Sequence, residues 1–120
     1  MFAVGLTIGQ IAEAFSHHRF TEVYPCLSDD VQWTLVGDRT FAGKAAVTAM
    51  CEESAAYLST VTTAFSRFKV VVGEDSVVVD SRASYTDGDG MVSSIASCDI
   101  YEFADGSLLS EITSYTVELS

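Results

Sequence analysis

Hydrophobic positions along this chain change period once. Up to about residue 60 most apolar residues recur at spacings of three and four, and beyond it they alternate with polar ones. Thr7 followed by Gln10 forms a capping-box pattern, with Ile8, Ile11 and Phe15 on one helical face. The spacing predicts a helix over about residues 8–18. Val23, Tyr24 and Leu27 share a face of a second, short helical piece from about Thr21 to Leu27, with Pro25 near its start, where a missing N–H is tolerable. Ser28-Asp29-Asp30 breaks that pattern. Val31, Trp33 and Leu35 then alternate with Gln32 and Thr34 as a strand, Gly37-Asp38 turns, and Arg39 to Ala42 returns as a short strand. Gly43 opens the clearest helix, in which Val47, Met50, Cys51, Ser54, Tyr57 and Leu58 recur along one face opposite Lys44, Glu52 and Glu53.

In the second half, turn signals at Gly73-Glu74-Asp75, Asp87-Gly88-Asp89-Gly90 and Asp105-Gly106 separate long strands. Each has roughly 9 to 13 residues, well above the usual length of about 5 to 6. Tight turns between consecutive strands imply antiparallel pairing. The order predicts an α+β fold: three N-terminal helices packed on a curved antiparallel sheet, made of a long four-stranded meander plus short N-terminal strands. A long sheet bending around its helices becomes a cone with an open mouth, which is a site for a small molecule.

Composition narrows this picture. At 120 residues the chain reads as a single domain, 1–120. Its 48% hydrophobic content excludes disorder in spite of a net charge of −11. That charge disfavours nucleic acid, whose affinity comes mainly from Lys and Arg on phosphates, and anionic membrane surfaces as well. No apolar run approaches the length of a membrane span, and the N-terminal stretch reads as an amphipathic helix rather than a signal peptide. Cys26, Cys51 and Cys98 are odd in number and widely spaced, so neither a disulfide framework nor a zinc site is suggested; reduced thiols in a cytoplasm are the simplest reading. Asp87-Gly88-Asp89-Gly90 lacks the ligand count of a calcium loop and reads as a hairpin turn. Nothing in the sequence calls for a metal or a cofactor.

Four segments, together with the order of elements, resemble the nuclear transport factor 2-like superfamily and, within it, the SnoaL-like proteins. They are Asp29-Asp30-Val31-Gln32-Trp33 entering the first strand, Phe41-Ala42-Gly43-Lys44-Ala45-Ala46-Val47 entering the third helix, Asp99-Ile100-Tyr101-Glu102-Phe103-Ala104-Asp105-Gly106 crossing the last hairpin, and the ending Ile112-Thr113-Ser114-Tyr115-Thr116-Val117-Glu118-Leu119. The resemblance implies a cone-shaped α+β fold that often forms a homodimer through its outer sheet face. It implies no single function, because the superfamily is similar in fold to isomerases, dehydratases, epoxide hydrolases and polyketide cyclases, and also to non-catalytic binding modules.

Asp99 is the leading candidate for chemistry. It belongs to the set Ile95, Ser97, Asp99, Tyr101 and Phe103, whose large apolar members mark a concave face. A carboxylate there must be paired, hydrogen-bonded or protonated. Its position resembles the aspartate that serves ketosteroid isomerase as a neutral acid. The rest of that enzyme's constellation is missing: no tyrosine stands among Ile11 to Phe15, and Thr34 and Leu35 occupy the place of its proton-shuttling aspartate. Trp33 and Tyr115 are expected at the pocket, with Tyr24 and Tyr57 on the capping helices and Tyr101 on the Asp99 strand. Glu111 is a weaker second carboxylate, inward if Leu109, Glu111, Thr113, Tyr115 and Val117 form the concave set and outward if a bulge interrupts the strand. His17 and His18 read as a helix end, where a cation suits the dipole. Val92, Ala96, Cys98 and Ile100 form an apolar outer strip that predicts a homodimer. Two functional readings stand: acid–base chemistry on a small, mostly apolar molecule, and a dimeric module that binds a ligand or a protein without chemistry.

Overall fold

The computed structural model describes residues 5–104 and 107–119. Helix α1 (Ile8–Ser16) begins with the reciprocal Thr7–Gln10 capping box, helix α2 (Phe20–Val23) follows, and Pro25 lies at the start of a 3-10 turn, Tyr24–Cys26. Strands β1 (Leu27–Leu35) and β2 (Arg39–Ala42) lead into α3 (Lys44–Leu58). Gly43 precedes α3 with φ of 92°, a left-handed conformation open to glycine, and its N–H donates to the Val31 carbonyl at 2.7 Å. Four long strands complete the chain: β3 (Thr62–Val72), β4 (Ser76–Thr86), β5 (Val92–Ala104) and β6 (Leu108–Leu119). In the turn between β4 and β5 the Asp87 carboxylate accepts from the N–H groups of Asp89 and Met91, as a hairpin requires. The turn signal at Asp105-Gly106 lies outside the described residues.

The six strands form one sheet in the order β2-β1-β6-β5-β4-β3. The meander is antiparallel throughout, but β1 pairs with β6 in parallel. The sheet is therefore mixed, a correction to the wholly antiparallel expectation. The reason is connectivity: the β1–β2 hairpin comes before α3 in the chain and docks on the last strand after the chain has crossed the whole sheet. The sheet curves around the helices without closing, giving the α+β cone.

The core lies between helices and concave face. Ile11, Val23, Val31, Val77, Tyr101 and Ile112 are among its most buried side chains. It fills part of that space and leaves a cavity in the rest.

Candidate functional site

The open end holds a cavity of about 440 Å³. Its base is made of buried side chains, Phe15 and Ser16 from α1, Phe20 from α2, Trp33 from β1, Ser81 from β4 and Ser114 from β6. Its mouth carries exposed ones, Glu53 and Tyr57 from α3, Ser93 from β5 and Thr116 from β6. Helices and strands both contribute aromatic side chains to the lining, and the strands add the hydroxyls of Ser81, Ser93, Ser97, Ser114 and Thr116.

Asp99 lies where the strand pattern put it. β4–β5 pairing runs without a shift from Ser76↔Glu102 to Thr86↔Val92, so Ser93, Ile95, Ser97 and Asp99 all line the cavity. The residue is half-buried: its carboxyl sits deep among protein atoms and still meets the cavity. Ser16 Oγ donates to Asp99 Oδ2 at 3.0 Å and Ser97 Oγ donates to Oδ1 at 3.3 Å. With its proton on Asp99, Ser16 Oγ is left to accept from the Tyr101 hydroxyl at 2.6 Å. Trp33 Nε1 donates to Ser114 Oγ at 3.0 Å, and Ser114 is the strand partner of Asp99. Burial pushes the Asp99 carboxyl above the usual carboxylate range, and the hydroxyls of Ser114, Ser16, Ser97 and Tyr101 pull it back part of the way. The group is thereby tuned to exchange a proton nearer neutrality than an exposed aspartate would.

Two titratable neighbours escaped the sequence reading. Tyr85, near the end of β4, lines the cavity; burial and the Asp99 charge raise its pKa. His18 also lines it, with its ring centroid 6.3 Å from that of Tyr85 and 5.9 Å from that of Phe65. Burial lowers the His18 pKa, and its neighbour His17 adds to the effect, so the imidazole is held neutral, able to accept a proton. The backbone explains the placement. Arg19 N–H bonds to the Ala14 carbonyl and His18 N–H to that of Phe15, which is a Schellman closure of α1 with His18 in the left-handed position at φ 68°. That conformation turns the ring inward. The helix ends at Ser16, two residues short of the expected end, so helical periodicity says nothing about where His18 points. The one available signal was histidine's enrichment in the left-handed region. His17 stacks on Phe68, with centroids 3.8 Å apart, and is absent from the cavity lining.

The other sequence candidates divide. Trp33 lines the base and Tyr57 the mouth. Tyr101 is fully buried beneath the cavity and reaches Asp99 through Ser16. Tyr24 points elsewhere: its hydroxyl donates to Glu52 on α3, and burial together with that bond raises its pKa. Glu111 and Tyr115 lie on the outer side of β6: for Glu111 this is the outward alternative that a bulge allows, and for Tyr115 it is a correction to the expected place at the pocket. The cause is a bulge at Ser110, where Glu102↔Glu111 is followed by Phe103↔Leu109. Leu109, Ile112 and Ser114 are buried instead, and every later side chain takes the opposite face from the simple alternation. Among the described residues no group of His, Cys, Asp and Glu is arranged to hold a metal ion. The three cysteines are unpaired, and burial pushes the Cys51 thiol up to about 12. Among the described residues no helix is long and apolar enough to cross a membrane.

Fold and cavity together define a helix-capped α+β cone with an open pocket. Within that class the chain belongs to the SnoaL-like domain family, whose match spans residues 8–111. Among solved structures, a nuclear transport factor 2-like protein of unknown function from Cytophaga hutchinsonii superposes with a TM-score of 0.78 at 29% identity, covering 89% of this chain and 93% of that one. An LEH-like epoxide hydrolase from M. tuberculosis gives 0.70 at 16% identity, covering 92% and 82%. A protein assigned as a polyketide cyclase from Xanthomonas campestris pv. campestris gives 0.68 at 16% identity, covering 91% and 92%. At that identity the last two likenesses speak for the fold alone. No curated protein sequence matches the chain.

Proposed function

We propose that this SnoaL-like protein binds a small, mostly apolar molecule in the cone and acts on it by acid–base chemistry without a cofactor, of the isomerase, cyclase, dehydratase or hydrolase type. Asp99 is the acid or hydrogen-bond donor, His18 the base, and Tyr85 a second donor; Trp33 and Tyr57 position the ligand. The observation that carries this reading is the convergence of three titratable groups with shifted pKa values on one cavity. Burial favours the neutral form of each group, a protonated Asp99 and an unprotonated His18, which are the forms an acid and a base need. The same fold carries proteins described as a cyclase and a hydrolase, so it is compatible with a reaction of this general kind.

A non-catalytic module is the second reading. It is favoured by the hydroxyls around Asp99, since a carboxyl held by serines and a buried tyrosine has fewer positions free for a substrate. Either way we infer a homodimer through the outer sheet face, where Val92, Tyr115 and Val117 are exposed. The unpaired cysteines fit a reducing compartment such as the cytoplasm.

The test reads proton transfer without advance knowledge of the substrate. The protein is incubated in heavy water with a panel of small enolisable ketones, and in ¹⁸O-water with small epoxides, with mass spectrometry as the readout. Turnover that Asp99→Asn lowers by about 100-fold or more, and His18→Gln by a similar factor, is expected of general acid–base groups. Turnover indifferent to both substitutions removes these roles. Ligand-dependent change in Trp33 fluorescence with no turnover across the panel selects the module.

A further inference from the structure

Charge around the cavity is sorted by sign. None of the six Lys and Arg side chains lines it. Arg19 pairs with Glu13 and Glu22, Arg39 with Asp38, and Lys44 opens α3; Arg67, Lys69 and Arg82 surround Asp80 on the outer face. Two carboxylates do line it, Glu53 at the mouth and Asp99 toward the base. Acidic side chains alone mean little in a chain of net charge −11. What is informative is that one carboxyl is taken into the interior at a desolvation cost while every basic side chain stays outside.

Two further observations point the same way. Phe15, Phe20, Trp33, Phe65, Tyr57 and Tyr85 all line the cavity, and the face of an aromatic ring attracts a cation, more strongly once it leaves water. α1 and α3 also reach the cavity with their C-terminal parts, Phe15 and Ser16 from one and Tyr57 and Leu58 from the other. Those ends carry the negative side of the helix dipole.

We propose that the cavity accepts a small hydrophobic ammonium, with its nitrogen beside the Asp99 carboxylate and its apolar body among the aromatic side chains, and rejects carboxylic acids of the same shape. This deepens the ligand-cavity reading above and rests on it; beside such a ligand Asp99 is a carboxylate, and the acid is the ammonium it holds. The protons balance simply. A free amine takes the Asp99 proton on entering; an ammonium entering beside protonated Asp99 releases that proton to solvent. Both routes end in a carboxylate–ammonium pair. Glu53 attracts the cation at the mouth before it reaches the base.

The chain has a single tryptophan, and it lies in the cavity, so intrinsic fluorescence reports occupancy. Three probes of one shape are titrated at pH 7: 3-phenylpropylammonium, 3-phenylpropanol and 3-phenylpropionate. The ammonium is expected to bind about tenfold tighter than the alcohol, with the carboxylate weakest. Asp99→Asn should bring the ammonium within about threefold of the alcohol, with a far-ultraviolet circular dichroism spectrum like that of the wild type showing that the variant is folded. Glu53→Gln, at an exposed position that folding does not need, should weaken the ammonium about twofold and reduce its salt dependence. An alcohol that binds as well as the ammonium, or a carboxylate that binds best, overturns the charge preference and leaves the cavity reading intact. Silence from all three probes overturns both.

Discussion

Asp80 and Asp99 are diagonal neighbours on β4 and β5, one register step apart, and their surroundings are opposite. The strand partners are Val79↔Asp99 and Asp80↔Cys98, so the two carboxylates leave the same sheet by different faces. Asp80 faces out, where Arg67 donates to it at 2.8 Å and Arg82 and Lys69 stand nearby. The bond from Arg67 holds its carboxyl below the usual range, and those cations add to the effect. Asp99 faces in, has hydroxyls for company, and is pushed up by burial. One residue type thus becomes a fixed charge on one face and a proton-exchanging group on the other. The alternation of strand side chains makes the distinction, and the difference lies entirely in what each face packs against.

The largest expected contrast between the faces is in packing. Ile112 is fully buried on the inner side of β6, and Ile112→Ala should cost about 2–5 kcal/mol in urea denaturation. Val117, five residues on, is 61% exposed on the outer side. Val117→Lys should change the stability of the isolated chain by no more than about 0.5 kcal/mol, yet convert a dimer to monomer in light scattering. Similar losses for both substitutions, or a wild-type monomer at micromolar concentration, would break the comparison.

A smaller effect reads the two carboxylates directly. The unfolded chain gives up each aspartate proton near the ordinary value of about 3.9. Folded Asp99 holds its proton to higher pH, so its contribution to stability is greatest below the ordinary value and is lost as pH rises through the raised one. Asp80 has the reverse sign: its contribution is present above the ordinary value and is lost as pH falls through the lowered one. Relative to wild type, Asp99→Asn should therefore gain stability as pH climbs from about 4 to about 8. Asp80→Asn should show a small deficit near pH 6 that disappears in acid. Urea midpoints across this range check both, and parallel curves for the two variants would remove the distinction between the faces.

The sequence made Asp99 legible and hid His18, and the reason in each case is local. β5 pairs with β4 without a slip, so simple alternation carries its inward set from Ser93 to Phe103. β6 contains one extra residue, Ser110, and nothing in a lone serine announces a bulge; alternation alone therefore leaves Glu111 open and puts Tyr115 on the wrong face. The capping box, the glycine before α3 and the hairpin turns are written in adjacent residues and could be read. The parallel β1–β6 pairing joins segments about 80 residues apart, and no local pattern encodes it.

His18 offers the finest test, because its backbone and its side chain ask for different residues. The left-handed position that closes a Schellman motif is most often glycine, and a residue with a Cβ there costs roughly 1 kcal/mol. Here a histidine holds the position at φ 68° and its ring lines the cavity. His18→Gly relieves the backbone but gives up ring contacts with Phe20, Phe65 and Tyr85. The two effects oppose each other, so thermal stability should move by less than about 1 kcal/mol. A residue kept for helix closure alone would leave the cavity's behaviour untouched when replaced by glycine. If the strain is maintained for the imidazole, His18→Gly should keep its stability and its binding of 3-phenylpropanol, and lose turnover by about 100-fold. Added imidazole should restore part of that rate, because it returns the missing base to a space the substitution has opened. Full activity in the glycine variant would return His18 to the role of a helix end and leave Asp99 and Tyr85 as the inner face's remaining pair.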